Sequence, residues 1–414
     1  MRIIHTIGFP LRMGGHIRSG LSLIRNLNAL GFESVVVAPG GGSEETQREY
    51  ASVAAEIRLL SGLQLQDRVP SRRLALALRS LISADRCELI HSHDWRSAAT
   101  GHLAAGLARK PFVLSIAGGP FDGQRPPAGS ATIVFSEELR SGIQEAFGPI
   151  GRRLHLVRAR IDRELFRPLS PRKDFLDRYC LPVEGISIAM AVRLVEGKRP
   201  WIETMLDLAS KYRRRGGVRI ILVGEGPLAA ELRQRASELE TRGYDPVLRV
   251  LGPLQDSQDV SQLYNYANVV VGSGRGILEA MACGKPVIVL GERGEGEFVS
   301  FDNVQEIAHT NFSGRHFRKR RERTSLEAAL SCALDREQIL ADLGRWSYAF
   351  IRDHMDARMG AEEVARVYRE AAETPVHLSD FLRWRWDGLV DGLRRAAGRR
   401  WLSRFQRASE APVR

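Results

Sequence analysis

Residues 271–290 read VGSGRGILEAMACGKPVIVL, a turn, a short helix and a strand, with the carboxylate of Glu279 in the helix's first turns. A helix start offers free backbone N–H groups and the positive end of the helix dipole, so its natural guest is an anion. Gly274 and Gly276 let the backbone come close to that guest without a Cβ in the way, with Arg275 between them and Ile277 following. A carboxylate beside a phosphate site makes electrostatic sense where it faces hydroxyl groups. The stretch points to a molecule with phosphate at one end and hydroxyls at the other.

A second group of residues fits the same ligand. In AVRLVEGKRPW, Arg193 ends an apolar strand and Lys198 opens the next helix, so two cations converge, one a planar fork and one a point charge. Near the N-terminus, Gly14 and Gly15 form a turn followed by His16, which could meet an acceptor or a phosphate. His91, His93 and Asp94 follow another strand end and could line an acceptor side. Asp94 is there either a base or hydroxyl-binding group, or the N-cap of the next helix. Glu225 in VGEGP reads as a loop organiser. Glu292, Glu295 and Glu297 punctuate a glycine-rich segment read as mobile. No Ser/His/Asp order, Walker loop or metal-ligand spacing is evident, so neither a cofactor nor a metal is expected.

The elements that must position these groups alternate. RIIHTI, SVVVAP, ELIHSH, PFVLSIA and TIVFS are β-branched runs separated by helical patterns such as Leu21, Ile24, Leu27 and Leu30, closed by Gly31. After the prolines of LFRPLSPR the rhythm restarts with ISIAMAV, VRIILVG, VLRVLG, NVVVGS and KPVIVL. Two Rossmann-like, doubly wound α/β domains follow, with ligands expected beyond the C-terminal strand ends. The boundaries read 1–163, 164–345, a helix at 346–375 crossing back to the first domain, and a basic tail at 376–414.

The ordered series GG, LIHSHDW, FSEELRSGI, IDRELFRP, VRLVEGK, ILVGEGPLAAELR, LGPL, LYNYANVVV and LEAMACGKPVIV resembles the GT-B glycosyltransferases, the retaining GT4 family in particular, over roughly residues 1 to 370. The resemblance implies transfer of a sugar from a nucleotide diphosphate sugar to a hydroxyl acceptor, lipid-linked or a cell-surface glycan, in cell-envelope polysaccharide synthesis. It implies that Arg193 and Lys198 hold the diphosphate, Glu279 the ribose, and the backbone from Leu251 to Leu254 the edge of the base. Gly224, Gly274, Arg275, Gly276 and Ile277 belong to the same donor site, over which Gly14 and Gly15 close, while His16, His93 and Asp94 lie on the acceptor side.

Two departures stand out. Counting back from Glu279, Val271 occupies the place of the family's first glutamate, with Arg275 the nearest charged residue, and Ala117 stands where the family often has a histidine. The alternatives are therefore a degenerate nucleotide-sugar-binding protein and a GT-B sugar-nucleotide epimerase.

The net charge of +12 favours acidic partners. From Val376 to Arg414 nine arginines face four acidic residues. Leu382, Trp386, Leu389, Val390 and Leu393 fall on one helical face, which reads as a basic amphipathic helix for an anionic membrane surface or for a homodimer. A second basic run, RHFRKRRER, begins at Arg315. Nucleic acid is a rival partner that the cleft motifs do not require, and none is expected. Cys87, Cys180, Cys283 and Cys332 are widely spaced, which suits a reducing compartment. No apolar run reaches the roughly 18 residues of a membrane span. The expected location is cytoplasmic, peripheral at the inner face of the membrane.

Overall fold

The computed structural model describes residues 1–393 except 13, 62–68, 149–152, 159, 214–216, 240–246, 255, 335 and 392. The first domain is built on β1 (Arg2–Thr6), β2 (Glu33–Pro39), β3 (Glu56–Leu60), β4 (Leu89–Ser92), β5 (Phe112–Ile116), β6 (Ala131–Val134) and β7 (Leu154–Leu156). They form one parallel sheet in the order β3-β2-β1-β4-β5-β6-β7. The second contains β8 (Ile186–Ala191), β9 (Val218–Val223), β10 (Leu248–Leu251), β11 (Val269–Gly272), β12 (Val287–Leu290) and β13 (Gly296–Phe298). Its order is β10-β9-β8-β11-β12-β13, parallel except for the last strand. Strand order reverses between β1 and β4 and again between β8 and β11, and a crevice at such a switch point is where doubly wound sheets bind ligands.

The central strands are almost wholly buried, as expected of sheets covered by helices on both faces. Three strands escaped the sequence pattern. β3 carries Glu56 and Arg58 at a sheet edge, and β7 and β13 are three residues each. β13 takes up the last three residues of the 291–298 segment that the sequence reads as mobile. Residues 296–298 pair with β12, and the segment's carboxylates are engaged: Glu292 with Arg318, Glu295 with Arg323, and Glu297 with His316 and Arg320.

After the second sheet the chain returns. Helix Glu337–His354 packs on helix Arg275–Ala282, and helix Ala357–Ala372 then lies against helix Gly15–Ala29 of the first domain. Ala361, Val364, Ala365, Val367, Tyr368 and Ala371 enter the same core cluster as Ile3, Leu89, Val113 and Ile133. Residues 378–391 are helical, and Phe381 and Trp384 pack on Ala99. The remaining tail, with Arg394, Trp401 and Phe405, lies outside the described residues. Among those described, no helix is long and apolar enough to cross a membrane.

Candidate active site

The second domain supplies cations at the crevice. Arg193 follows β8 and is exposed, and among the described residues no ion pair joins it to a carboxylate. Lys198 closes a 3-10 turn and sits at the start of helix Arg199–Tyr212, with its Nζ 3.5 Å from the centroid of the Trp201 ring. Burial lowers its pKa first and the charge of Arg193 second, so the two cations share one field. Arg193 also adds to the burial that lowers the pKa of His16 in the opposite domain. Gly224 has φ 154°, and a side chain there would run into the carbonyl of Val192, so the β9 turn lies tight against the segment that carries Arg193.

The glycine turn stands opposite. Gly274 has φ 65°, a left-handed conformation that favours glycine, and its N–H donates to the Phe312 carbonyl at 2.6 Å. Helix Arg275–Ala282 begins immediately after it. A Cβ on Gly15 would lie 3.6 Å from the Cβ of Arg275, so the two glycine turns meet across the domain boundary. A Cβ on Gly276 would fall 2.9 Å from the Tyr264 hydroxyl. Ile277 and Leu254 point into the second domain's core and Leu251 packs against it, which leaves only their backbone for a ligand.

Glu279 and Arg275 form one buried pair. Glu279 is 0% exposed. Its Oε1 accepts from Arg275 Nε at 2.7 Å, and its Oε2 lies 2.8 Å from Nη2 of Arg18, in the first domain. Arg275 is buried as well, and its Nη1 donates to Ser19 Oγ at 3.0 Å and to the carbonyl of Arg160 at 2.9 Å. It spans the two domains. The short helix puts residues 275 and 279 one turn apart on one face, where opposite charges attract. The Arg18 contact is an ion pair without hydrogen-bond alignment, so Glu279 Oε2 is in charge contact but accepts no hydrogen bond.

Arg18, Ser19 and Arg160 escaped the sequence reading because each acts across domains. Burial lowers Arg160 to about 9, with Arg275 adding to the effect, and it remains a cation at neutral pH. Its Nη2 donates to Asn311 Oδ1 of the second domain.

On the acceptor side, Asp94 is a cap. Its Oδ1 accepts from Ser97 N at 2.8 Å and its Oδ2 from Gly8 N at 2.7 Å, so both oxygens are held by backbone donors. Burial raises its pKa despite these bonds. His91 is enclosed too, bonded through Nδ1 to the Tyr368 hydroxyl at 2.6 Å and through Nε2 to Ser115 Oγ at 2.8 Å. His93 does reach open space. It lines a narrow cavity of about 30 Å³ together with His16, Ser19, Ser115, Ala117 and Arg160, walled by Ile133, Phe135 and Val364. Its Nε2 meets Nδ1 of His5 at 2.9 Å, and His5 meets Ser34 Oγ at 3.1 Å. Burial pushes His93 down to about 3, so it is neutral at physiological pH. His5, His91 and His93 offer nitrogens within 4.8 Å of one another. The donor set is already linked by hydrogen bonds to Ser34, Ser115 and Tyr368.

Two family models match the chain, a glycosyl transferase 4-like domain over residues 14–145 and glycosyl transferases group 1 over residues 186–310. The chain belongs to the GT4-like glycosyltransferases of the GT-B fold. Among its relatives, the D-inositol 3-phosphate glycosyltransferase of Saccharomonospora viridis is 28% identical over 233 residues, covering 49% of this chain and 53% of that one. That of Mycobacterium tuberculosis is 27% identical, covering 49% and 46%. The chain spans about half the length of the curated relatives it matches. In fold, the chain is similar to Anabaena HepE solved with UDP-glucose, with TM-score 0.65, 17% identity, and 89% of this chain and 99% of that one covered. It is also similar to a UDP-N-acetylglucosamine 2-epimerase from Listeria monocytogenes described as putative, with TM-score 0.58, 14% identity, and 91% and 98% covered.

Proposed function

We propose that the chain transfers a glycosyl group from a nucleoside diphosphate sugar to a hydroxyl acceptor, lipid-linked or part of a cell-surface glycan. The observation that carries this reading is the set of polar groups at the crevice that the protein leaves short of hydrogen-bond partners. Arg193 is exposed and lacks a carboxylate partner among the described residues, Glu279 Oε2 has the Arg18 ion pair but no hydrogen bond, and His16 Nε2 is buried without a hydrogen bond. Buried polar groups without partners are uncommon, and a ligand is one way to satisfy them. A diphosphate between Arg193, Lys198 and the helix start at Gly274, with a hydroxyl donating to Glu279, engages two of these three groups. The resemblance to relatives that use sugar donors supports the same reading.

Departure of the diphosphate concentrates negative charge where Arg193 and Lys198 stand, and fixed cations there lower the barrier. In a same-face reaction the leaving phosphate takes the acceptor's proton, so Asp94 as a cap and Ala117 in place of a histidine leave the chemistry feasible. Retention at the anomeric carbon belongs to this scheme.

The enclosure of Glu279 by Arg18 and Arg275 favours one second reading, a protein that holds the nucleotide without transferring sugar. A screen of UDP-, GDP- and ADP-sugars, read by calorimetric binding and by release of free nucleoside diphosphate with and without hydroxyl acceptors, separates the two. Binding without release with any donor and acceptor would overturn the transferase. Release that never needs an acceptor would point to hydrolysis, and donor isomerisation to an epimerase.

A further inference from the structure

We propose that the outward face of the 378–391 helix is a docking surface for an anionic lipid bilayer. The helix is fixed to the first domain by its inner face. Phe381 and Trp384 are buried, Trp384 Nε1 donates to the carbonyl of Arg125 at 2.8 Å, and Arg125 pairs with Asp391 at 2.9 Å. At its start, Val376 is fully buried and its N–H donates to the carbonyl of Lys110. A helix so anchored holds its other face in a defined direction.

That other face is apolar. Leu378, Leu382, Trp386, Leu389 and Leu393 follow one another at steps of four, four, three and four, and each is between 42% and 66% exposed. Five large apolar side chains in a single stripe need a partner, whereas scattered ones do not. Arg383 and Arg385 flank the stripe and are exposed, whereas of the helix's acidic residues Asp391 pairs with Arg125, Asp380 accepts from the N–H of His377, and Asp387 is half-buried. Beyond it, residues 394–414 carry seven arginines against Glu410, with Trp401, Leu402 and Phe405 among them.

The charge decides the occupant. Against a second copy, the same surface would bring Arg383 and Arg385 toward their equivalents, and like charges oppose such a contact. An anionic bilayer complements them, with each arginine near the surface contributing on the order of 1 kcal/mol. Tryptophan suits the headgroup level and leucine the acyl boundary. Direction fits as well. Residue 377 lies against Gly106, while Trp384 lies near His102 and shares a cluster with Trp95. The helix therefore runs antiparallel to helix Trp95–Ala108, and its later residues approach the sheet end where His93 faces the cavity.

This inference extends the proposed function by placing the acceptor side near a membrane, but vesicle binding is read without any sugar transfer, so either can fail alone. The test uses the full chain with phosphatidylcholine vesicles, with and without phosphatidylglycerol. We expect co-sedimentation with the anionic vesicles only, weakened by salt, and a blue shift of tryptophan emission. The L382S/W386S/L389S variant should lose binding at least ~10-fold, given the apolar area that an interfacial helix buries, with unchanged circular dichroism and nucleotide affinity. R383E/R385E should bind anionic vesicles more weakly than wild type. Absent binding by the wild type, or equal binding by the triple variant, overturns the proposal. So does a dimer that the triple variant dissociates while vesicle binding is absent.

Discussion

Arg275 and Glu279 illustrate how far a residue's neighbours decide its work. One turn of helix makes them partners, and burial on both sides makes the pair a junction with Arg18, Ser19 and Arg160. Replacing Arg275 by Ala leaves a buried carboxylate with only the poorly aligned Arg18. Removing one member of a buried pair costs about 3 kcal/mol or more, so we expect R275A to lower the denaturant midpoint clearly. An unchanged midpoint would show that the junction contributes no stability. Arg193 and Lys198 behave oppositely, because both stand at the mouth of the crevice. Charge-assisted hydrogen bonds contribute roughly 1.5–3 kcal/mol, and R193A or K198A should weaken UDP, GDP or ADP binding ~10-fold or more at unaltered stability. Unchanged calorimetric affinity in the folded double variant would remove the phosphate assignment. The cations and glycines of the site were legible in the sequence because each follows a strand or opens a helix. Arg18, Ser19 and Arg160 were not, since a contact between domains leaves no local period.

Among the elements, helix Trp95–Ala108 shows a functional-looking motif with a structural task. The HSHD sequence ends β4, but Asp94 bonds the first turn of the helix and the chain leaving β1 at once, tying two neighbouring strand ends together. In D94N the amide retains one acceptor oxygen and turns a donor toward the other backbone N–H. We expect a loss of roughly 1–2 kcal/mol, as for an unsatisfied donor, with turnover in the folded enzyme within a few-fold of wild type. A hundredfold fall in turnover at full stability would instead make Asp94 a reacting group. The central strands were readable for a similar reason. Both faces are covered, so they appear as unbroken apolar runs such as IILV and VVV. β3, β7 and β13 lie at or near sheet edges or span only three residues, where one face or the strand's length gives too little signal. The basic run from Arg315 to Arg323 was legible only as charge. In the fold its arginines meet Glu138, Glu292, Glu295, Glu297 and Glu306.

At the scale of the whole molecule, buried histidines make the fold sensitive to acid. His5, His91, His93 and His102 all have pKa values lowered by burial, His93 to about 3 and His102 to about 4. Unfolding restores the ordinary value near 6.5. Between these limits the unfolded chain binds more protons than the native one, so stability is full above about pH 6.5 and declines as pH falls toward 4. Each such histidine contributes a slope of up to about 1.4 kcal/mol per pH unit. Urea unfolding from pH 7 to pH 4.5 should show this decline, and H102Q should have a shallower one whatever its absolute stability. Equal slopes would mean that His102 titrates normally in the fold.

The return of helix Ala357–Ala372 to the first domain has a consequence for synthesis. Tyr368 and the apolar side chains beside it complete a core whose other members lie within the first 157 residues. As the chain leaves the ribosome from its N-terminus, those residues must wait for some two hundred more before their last wall arrives. During that interval, an apolar surface over Ile133 and Val157 and the unbonded Nδ1 of His91 face water or a chaperone. A nascent chain halted before residue 357 should therefore be more readily cleaved by protease within its first domain than one extended past residue 372. The native first half is finished only when the second half is already in place.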